Sequence, residues 1–333
     1  MQINNSYTLR DISKITGGKC IGNIDSPISN VHYDSRRFVQ NNEHVFLAFK
    51  TSFNDGHKHI NQVYENGIKQ FITHKTPLKI KKDAGYLVVE NTLAALQKWA
   101  NFHRKTFKIP VLSVTGSYGT TVIKEWINFI AQEKINILRS PKSYNSQFGA
   151  ALTLLSITKH HELAIIETGI SMPGEMDLMK KMIEPSHVIL SNIGREHIEN
   201  FSSIDELRIE KEKILKGTIH TYLKNDKFNF KRDIVEKGQE IHCEYNNKKE
   251  VFFIQQKDEN SAKNFICCLR FLNQIKYDLK GIKNLSPYLP EIALRFEKKS
   301  GICNSIIIND SYQNNFQSLK ISLETLKSEC GSS

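Results

Sequence analysis

The sequence predicts an α/β fold in which strands and helices alternate along most of the chain. Short apolar runs of strand length recur between residues 28 and 192, separated by segments with helical spacing of apolar residues. One strand and one helix are joined by a turn that carries two glycines, Gly116 and Gly119. A hydrophobic content of 39% supplies a core. This alternation favours a mostly parallel sheet with helices on both faces.

Composition narrows the class of protein. A length of 333 residues suggests two to three domains at roughly 100–200 residues each. The net charge of +11 comes from lysines spread along the chain, which favours a solvated surface over a site that attracts anionic ligands, and no nucleic-acid partner is expected. The sequence has no N-terminal apolar leader and no apolar run of about 18 residues, so we expect a cytoplasmic protein without a membrane span. The six cysteines lack zinc-type spacing and are interpreted as reduced thiols.

Residues 1–80 are predicted to form a small α/β unit. Thr8 is a plausible N-cap for a short helix that ends at Gly17. Strands are expected at 28–33, 44–49 and 71–73, with a helix at 59–66. The polar turn at 34–37 reads Asp-Ser-Arg-Arg. Such a turn is either a surface loop or a place where an arginine grips a phosphate.

The next stretch, up to residue 216, continues the alternation in longer elements. Strands are predicted at 87–90, 111–114, 135–138, 163–168 and 187–192. Helices are predicted at 92–107, 122–131, 149–158 and 205–216, with a further helix starting near Pro173. A polar stretch lies at 142–147. The helix at 92–107 is expected to link the first unit to the second.

The glycine turn (residues 116–121) has the architecture of a phosphate cradle, because strand, turn and helix direct backbone N–H groups at an anion. A complete G-x-x-x-x-G-K-[ST] loop needs a lysine before its hydroxyl residue, and here Thr120 takes that place. Lys124 lies one helical turn later and is expected to point elsewhere.

Ligands of open α/β sheets bind outside the carboxyl ends of the strands. Three such ends should therefore converge here: the glycine turn, Glu167, and the loop from Asn192 to His197. Hydroxyl and carboxylate oxygens from Thr121 and Glu167 with one histidine suit a magnesium nucleotide better than zinc. The alternatives are a helix-capping role for Glu167 and a structural hydrogen bond for His197.

Beyond Gly217 the pattern weakens. One clear strand is expected at 251–254, followed by a helix at 260–273 that carries Asn264. Paired strands are expected at 294–296 and 305–308, followed by a helix at 318–327. These last elements are too few for an independent core.

A series of motifs in fixed order resembles the Mur ligase family. The matching segments are YDSRR (33–37), VFLAFK (45–50), DGH (55–57), TGSYGTT (115–121), KEW (124–126), SPKSYNSQFG (140–149), ETGISMPGEM (167–176), SNIGREHIENF (191–201), EKEKIL (210–215) and INDSYQNN (308–315). An ordered series of this length is far more specific than one glycine loop.

The resemblance implies a domain plan and an activity. Residues 1–80 would form a UDP-sugar-binding-like domain, residues 81–290 a central ATP-binding domain, and residues 291–333 the truncated start of a Rossmann-like C-terminal domain. The implied reaction belongs to peptidoglycan precursor synthesis: ATP and Mg²⁺ activate UDP-N-acetylmuramoyl-tripeptide as an acyl phosphate, and D-alanyl-D-alanine attacks it. The chain also resembles the ligase half of proteins in which such an enzyme is fused to an alanine racemase.

Residue roles follow from the same resemblance. The implied nucleotide-binding residues are Gly116, Ser117, Gly119, Thr120, Thr121, Asn264, Arg295 and Asp310. The implied Mg²⁺ ligands are Thr121, Glu167 and His197, and Lys211 matches a lysine that the family carbamylates. The implied catalytic residues are Lys211, His197 and Asn145, and the implied substrate-binding residues are Ser35, Arg36, Asn145 and Ser146.

The chain departs from the family pattern in the glycine turn and near its end. Thr120 replaces the loop lysine, Tyr118 replaces an asparagine, and Gln313 replaces another. The central domain is expected to be shortened between 217 and 260. Two hypotheses follow: an ATP-dependent amide ligase, or a catalytically inactive homologue that retains substrate or partner binding.

Overall fold

The computed structural model describes residues 2–36, 43–51, 54–222, 230–293, 295, 297–312, 319–320, 322–323 and 326–327. Within them the predicted mixed α/β architecture is confirmed. Arg37, Leu294, Phe296 and Gln313 lie outside the described residues, as do several positions of the helix predicted at 318–327. No helix in the described ranges is long and apolar enough to cross a membrane.

The first sheet contains six strands in the order β1-β3-β4-β5-β6-β2. They are β1 Gln2–Tyr7, β2 Lys19–Gly22, β3 Ile28–His32, β4 His44–Leu47, β5 Gln70–Thr73 and β6 Gly85–Val88. Strands β3 to β6 run parallel, and β1 and β2 close the edges antiparallel. The helices of this unit are α1 Leu9–Thr16 and α2 Ile60–Glu65. The predicted boundary at residue 80 falls before β6, which pairs with β5 inside this sheet.

Local capping explains where α1 begins and ends. The Thr8 hydroxyl accepts a hydrogen bond from the Asp11 amide, and the Asp11 carboxylate accepts one from the Thr8 amide, so the predicted N-cap forms a capping box. Gly17 ends the helix at φ 80°, a left-handed conformation that glycine adopts without penalty.

Helix α3 (Thr92–Lys105) links the first sheet to the second, as predicted. Its His103 is fully buried between the two units. The His103 ring bonds the Tyr7 hydroxyl through Nδ1 at 2.8 Å and the Ile157 carbonyl through Nε2 at 3.0 Å. Because a carbonyl only accepts, Nε2 carries the proton and Nδ1 accepts from Tyr7. Burial lowers the pKa of His103, which keeps the ring neutral.

The second sheet has five parallel strands in the order β11-β10-β7-β9-β8. They are β7 Val111–Thr115, β8 Ile137–Arg139, β9 Leu163–Thr168, β10 His187–Leu190 and β11 Ile219–Tyr222. Alternating side chains face opposite layers: Val111 and Ile166 pack in one core, Leu112 and Ile165 in the other. Helices cover both faces, namely α4 Thr120–Ala131, α5 Gln147–Leu155, α6 Glu175–Ile183, α7 Ile204–Glu212 and α8 Glu259–Gln274.

The region after β11 holds more structure than the sequence predicts. Strands β12 Lys231–Val235, β13 Gly238–Tyr245 and β14 Lys248–Ile254 form an antiparallel sheet, of which only the end of β14 was predicted. It is followed by α9 Leu279–Leu285. The strand predicted at 305–308 is observed as β16 Ile306–Asn309, which pairs antiparallel with β15 Glu297–Ser300. Leu294 and Phe296 of the other predicted strand lie outside the described residues.

Candidate functional site

A cavity of about 380 Å³ lies at the carboxyl ends of β7, β9 and β10. Its walls come from the glycine turn, from residues 145–147, from residues 167–171 after β9, and from Glu196 and His197 after β10. The start of α8 contributes Asn264, and the C-terminal segment contributes Arg295 and Asp310. The three strand ends named from the sequence therefore surround one space.

The conformation of the glycine turn depends on its glycines and on a hydrogen bond to the loop after β10. Gly116 has φ 144° and Gly119 φ 80°, both in the region that only glycine adopts easily. The Ser117 amide donates to the Asn192 carbonyl at 2.7 Å, which joins the two loops. A Cβ at Gly119 would lie 2.3 Å from Asn264 Oδ1, so a larger residue there would displace the Asn264 amide from the turn.

Glu167 accepts hydrogen bonds from the two hydroxyl groups at the start of α4. Thr121 Oγ1 donates to Glu167 Oε1 at 2.9 Å, and Thr120 Oγ1 donates to the same oxygen at 3.3 Å. Glu167 is 1% exposed although it lines the cavity. The carboxylate is thus fixed next to the position where the loop lysine is missing.

Arg295 reaches the glycine turn from the C-terminal segment. Its Nη2 donates to Thr121 Oγ1 at 2.9 Å and to Ser143 Oγ at 3.0 Å. Its guanidinium stacks on the Tyr312 ring at 3.8 Å, a cation–π contact that restrains its orientation. A guanidinium in this position can hold a phosphate by two hydrogen bonds.

The described walls of the cavity are more acidic than basic. They carry the carboxylates of Glu167, Glu175, Glu196, Asp258 and Asp310, and Arg295 is the only lysine or arginine among those described lining residues. The Glu175 carboxylate already has a hydrogen-bond donor within its own loop, because its Oε2 accepts from the Ser171 amide at 2.6 Å. Polyphosphates would need added cations to bind here.

The donor set fits Mg²⁺ in part. Glu167 Oε1 and Thr121 Oγ1 are adjacent hard oxygens, whereas no group of three or more His, Cys, Asp or Glu side chains forms a protein-only metal cage among the described residues. Mg²⁺ is usually held by one or two protein oxygens with phosphates and waters, which this arrangement allows. His197 lines the same cavity with its side chain 44% exposed.

Lys211 lies behind the glycine turn and not in the cavity wall. Its side chain is 1% exposed, and its Nζ donates to the Gly116 carbonyl at 2.9 Å. Burial lowers the pKa of Lys211, an effect that the Glu196 carboxylate, 3.7 Å away, opposes. A lowered pKa raises the neutral fraction of the amine at neutral pH, and the neutral amine is the nucleophilic form.

The candidate substrate residues fall into two places. Asn145 and Ser146 line the cavity, and Ser146 Oγ caps α5 by accepting from the Gly149 amide at 3.2 Å. Ser35 and Arg36 do not line it. Arg36 is 86% exposed and pairs with Asp34, Nε to Oδ1, at 2.9 Å. That turn approaches α5 through Tyr33, whose ring lies 4.5 Å from that of Phe148.

Two residues next to the site were missed by sequence reasoning as functional candidates. Ser143 bonds both Arg295 and Thr121, and its place in the polar stretch with Asn145 was the available signal. Lys124 stays out of the cavity wall, but its fully buried ammonium lies 3.2 Å from Glu167 Oε2. The signal was its i+4 spacing from Thr120, which places both on one face of α4.

Curated relatives with one enzyme name match this chain. The chain is 30% identical over 212 residues to the UDP-N-acetylmuramoyl-tripeptide–D-alanyl-D-alanine ligase of Buchnera aphidicola, covering 64% of this chain and 45% of that protein. The Bacillus subtilis protein of the same name is 27% identical over 190 residues, 57% of this chain and 41% of the relative. The chain thus spans about half the length of the curated relatives it matches.

Solved structures share the fold at lower identity. MurF from Acinetobacter baumannii superposes with a TM-score of 0.88 at 20% identity, covering 98% of this chain and 77% of that one. The family model for the Mur ligase middle domain matches residues 114–289, more than half of the chain, and these include the glycine turn, Glu167, His197 and Asn264. On this match over its central sheet and cavity, the chain belongs to the Mur ligase family.

Proposed function

We propose that this chain binds ATP in the cavity and uses it to join D-alanyl-D-alanine to UDP-N-acetylmuramoyl-tripeptide. The observation that carries the proposal is the convergence of the glycine turn, Glu167, Asn264 and Arg295 on one space. The names of the curated relatives support the substrate pair. In the reaction that the family resemblance implies, the γ-phosphoryl group passes from ATP to the tripeptide carboxylate. The dipeptide amine then displaces phosphate to form the amide.

We assign to each nucleotide-side residue the role that the family resemblance implies for it. The amides of Gly116 and Gly119 would donate to phosphate oxygens at the start of α4, and Ser117 would hold the glycine turn in place through its hydrogen bond to Asn192. Thr121 and Glu167 would hold Mg²⁺, which supplies charge neutralisation at the phosphates when bound. Arg295 would donate to the transferring phosphoryl group. Asn264, against the glycine turn, would accept and donate on the adenine side, and Asp310 would contact the nucleotide from the C-terminal segment.

The opposite side of the cavity is assigned to the acyl substrate. Asn145 and Ser146 would orient the tripeptide end of the sugar nucleotide. His197 and a carbamylated Lys211 would hold a second Mg²⁺, and burial of the Lys211 amine, which lowers its pKa, supports such a modification. Ser35 and Arg36, on the approach to α5, would contact the uridine diphosphate.

The domain plan is part of the same proposal. Residues 1–80 would bind the UDP-sugar, residues 81–290 would bind ATP, and residues 291–333 would begin a third domain. Function in the cytoplasm and a former fusion to an alanine racemase stay predictions.

A second candidate function is supported by Thr120. Without the loop lysine, the cavity wall has several carboxylates and Arg295 as its only permanent cation among the described lining residues. Loss of one fixed donor to a developing charge lowers rates by roughly 10²–10³. The alternative is therefore an inactive homologue that still binds substrate or a partner.

Phosphate release in the presence of ATP, Mg²⁺, the UDP-tripeptide and D-alanyl-D-alanine separates the two. The ligase proposal predicts that phosphate release requires both the UDP-tripeptide and D-alanyl-D-alanine. The UDP-pentapeptide product should be detected by mass spectrometry. Glu167→Gln is the matched control and should abolish the activity. Nucleotide binding without product, at enzyme concentrations that detect a 10³-fold slower reaction, would reject the ligase and leave the inactive homologue.

A further inference from the structure

The buried ammonium of Lys124 has no role in the proposed function, although it lies beside Glu167, one of the proposed Mg²⁺ ligands. Its side chain is 0% exposed, and its Nζ donates to the Ser140 carbonyl at 2.8 Å and to the Lys142 carbonyl. Its Nζ also lies 3.2 Å from Glu167 Oε2 and 3.2 Å from Glu125 Oε1. A buried lysine of this kind must be paired to be tolerated.

The charges around Lys124 are not equivalent. Glu125 has a second partner, because Arg139 Nε donates to its Oε2 at 2.9 Å. Glu167 Oε2 is buried and has no hydrogen bond of good geometry among the described residues, so its nearest counter-charge is the Lys124 ammonium. Lys124 therefore mainly offsets the charge of Glu167.

The two oxygens of Glu167 face opposite ways. Oε1 accepts from Thr121 and Thr120 at the cavity, and Oε2 faces Lys124 behind it. The same ammonium fixes the polar loop (residues 140–146) through two carbonyls, and that loop carries Ser143 and Asn145. One cation thus connects α4, the end of β9 and the polar loop.

We propose that Lys124 is a positioning residue that offsets the Glu167 charge from behind, so that phosphates can bind at a glycine turn that lacks its lysine. This rests on the proposed nucleotide site and deepens it. Lys124 does not touch the nucleotide. It acts through Glu167, which without it would present an uncompensated negative charge to the phosphates.

A double-mutant cycle tests the coupling. The dissociation constant of ADP with Mg²⁺ is measured by calorimetry for the wild type, Lys124→Met, Glu167→Gln and the double variant. Lys124→Met should weaken binding at least tenfold in the wild-type background and less than threefold in the Glu167→Gln background. The matched control Lys134→Met removes a lysine that is 56% exposed and should stay within twofold.

Repeating the ADP titrations in EDTA, which removes Mg²⁺, distinguishes an electrostatic role of Lys124 from a packing role. In EDTA, the Lys124→Met defect should grow at least threefold further, because no added cation offsets Glu167. Equal defects in both backgrounds, or with and without Mg²⁺, would mean that Lys124 only supports the fold and would overturn the proposal.

Two further comparisons apply if Lys124→Met does not fold or if the wild type binds no ADP. If Lys124→Met does not fold, the double variant, which removes both buried charges, is compared with Glu167→Gln alone; a tenfold difference in ADP affinity would reject the coupling. If the wild type binds no ADP, the nucleotide site itself fails. The thermal unfolding cycle of the same four proteins then still reports whether Lys124 and Glu167 are coupled, and additive unfolding shifts would reject the pairing.

Discussion

Restoring a lysine at position 120 should strengthen nucleotide binding. Thr120 is the first residue of α4, lines the cavity, and has its hydroxyl 3.3 Å from Glu167 Oε1. A lysine here would bring an ammonium to the acidic wall of the cavity. At about 4 Å from a phosphate oxygen and an effective dielectric constant near 20, the gross attraction is about 4 kcal/mol. Ordering the lysine side chain costs about 2 kcal/mol, which leaves about 2 kcal/mol.

That net value corresponds to roughly 30-fold tighter binding. Isothermal titration of Mg·ADP into wild type and Thr120→Lys measures it directly. Thr120→Met is the control, since it adds length without charge and should bind no more tightly than the wild type. A folded Thr120→Lys protein with unchanged or weaker affinity would refute the electrostatic interpretation of the glycine turn.

Two further predictions concern stability. Replacing His103 by phenylalanine leaves the Tyr7 hydroxyl and the Ile157 carbonyl without their buried partner, so the free energy of unfolding should fall by about 2–5 kcal/mol in urea titrations; a loss below about 1 kcal/mol would contradict the inter-sheet link. Burial and the stacked His44 ring lower the pKa of His32 to about 4, below the usual unfolded value of 6.5. The unfolded chain then binds more protons, so stability should fall as pH drops from 6.5 towards 4, by at most roughly 3 kcal/mol from this group. His32→Phe should flatten that part of the pH profile of urea midpoints, and an unchanged slope would refute the assignment.

Periodicity recovered β7, β9 and β10 of the second sheet because nearly every residue of these apolar runs is buried. Strand β11, Ile219–Tyr222, was not predicted, because its sequence IHTY is not an apolar run. Strand β9 was predicted with its observed bounds, as all six of its residues are buried. The antiparallel strands β12 and β13 have one solvated face and many polar residues, so an apolar run could not mark them. Strand β1, Gln2–Tyr7, likewise lacks an apolar signal and is identified only by its pairing with β3.

The site was partly predictable for a similar reason. Strand ends of a parallel sheet meet at one edge, so the glycine turn, Glu167 and His197 could be grouped from order alone. Individual contacts between residues far apart in the sequence could not be predicted in this way. Arg295 bonds Thr121 over a separation of 174 residues, and the Lys124 ammonium pairs with Glu167 on a different strand. Such contacts depend on tertiary packing that no local pattern encodes.

The glycine turn also provides the most direct test of a nucleotide site. Gly119 and Gly17 both have φ 80°, so alanine at either position strains the backbone similarly, by about 1–2 kcal/mol. Only at Gly119 would the new Cβ meet Asn264, at 2.3 Å, whereas nothing lies within 4 Å at Gly17. Calorimetric titration with Mg·ADP should therefore show one binding site in the wild type and in Gly17→Ala, and at least tenfold weaker binding in Gly119→Ala. Absence of binding in the wild type, or equal affinity in the two variants, would contradict nucleotide binding at this turn.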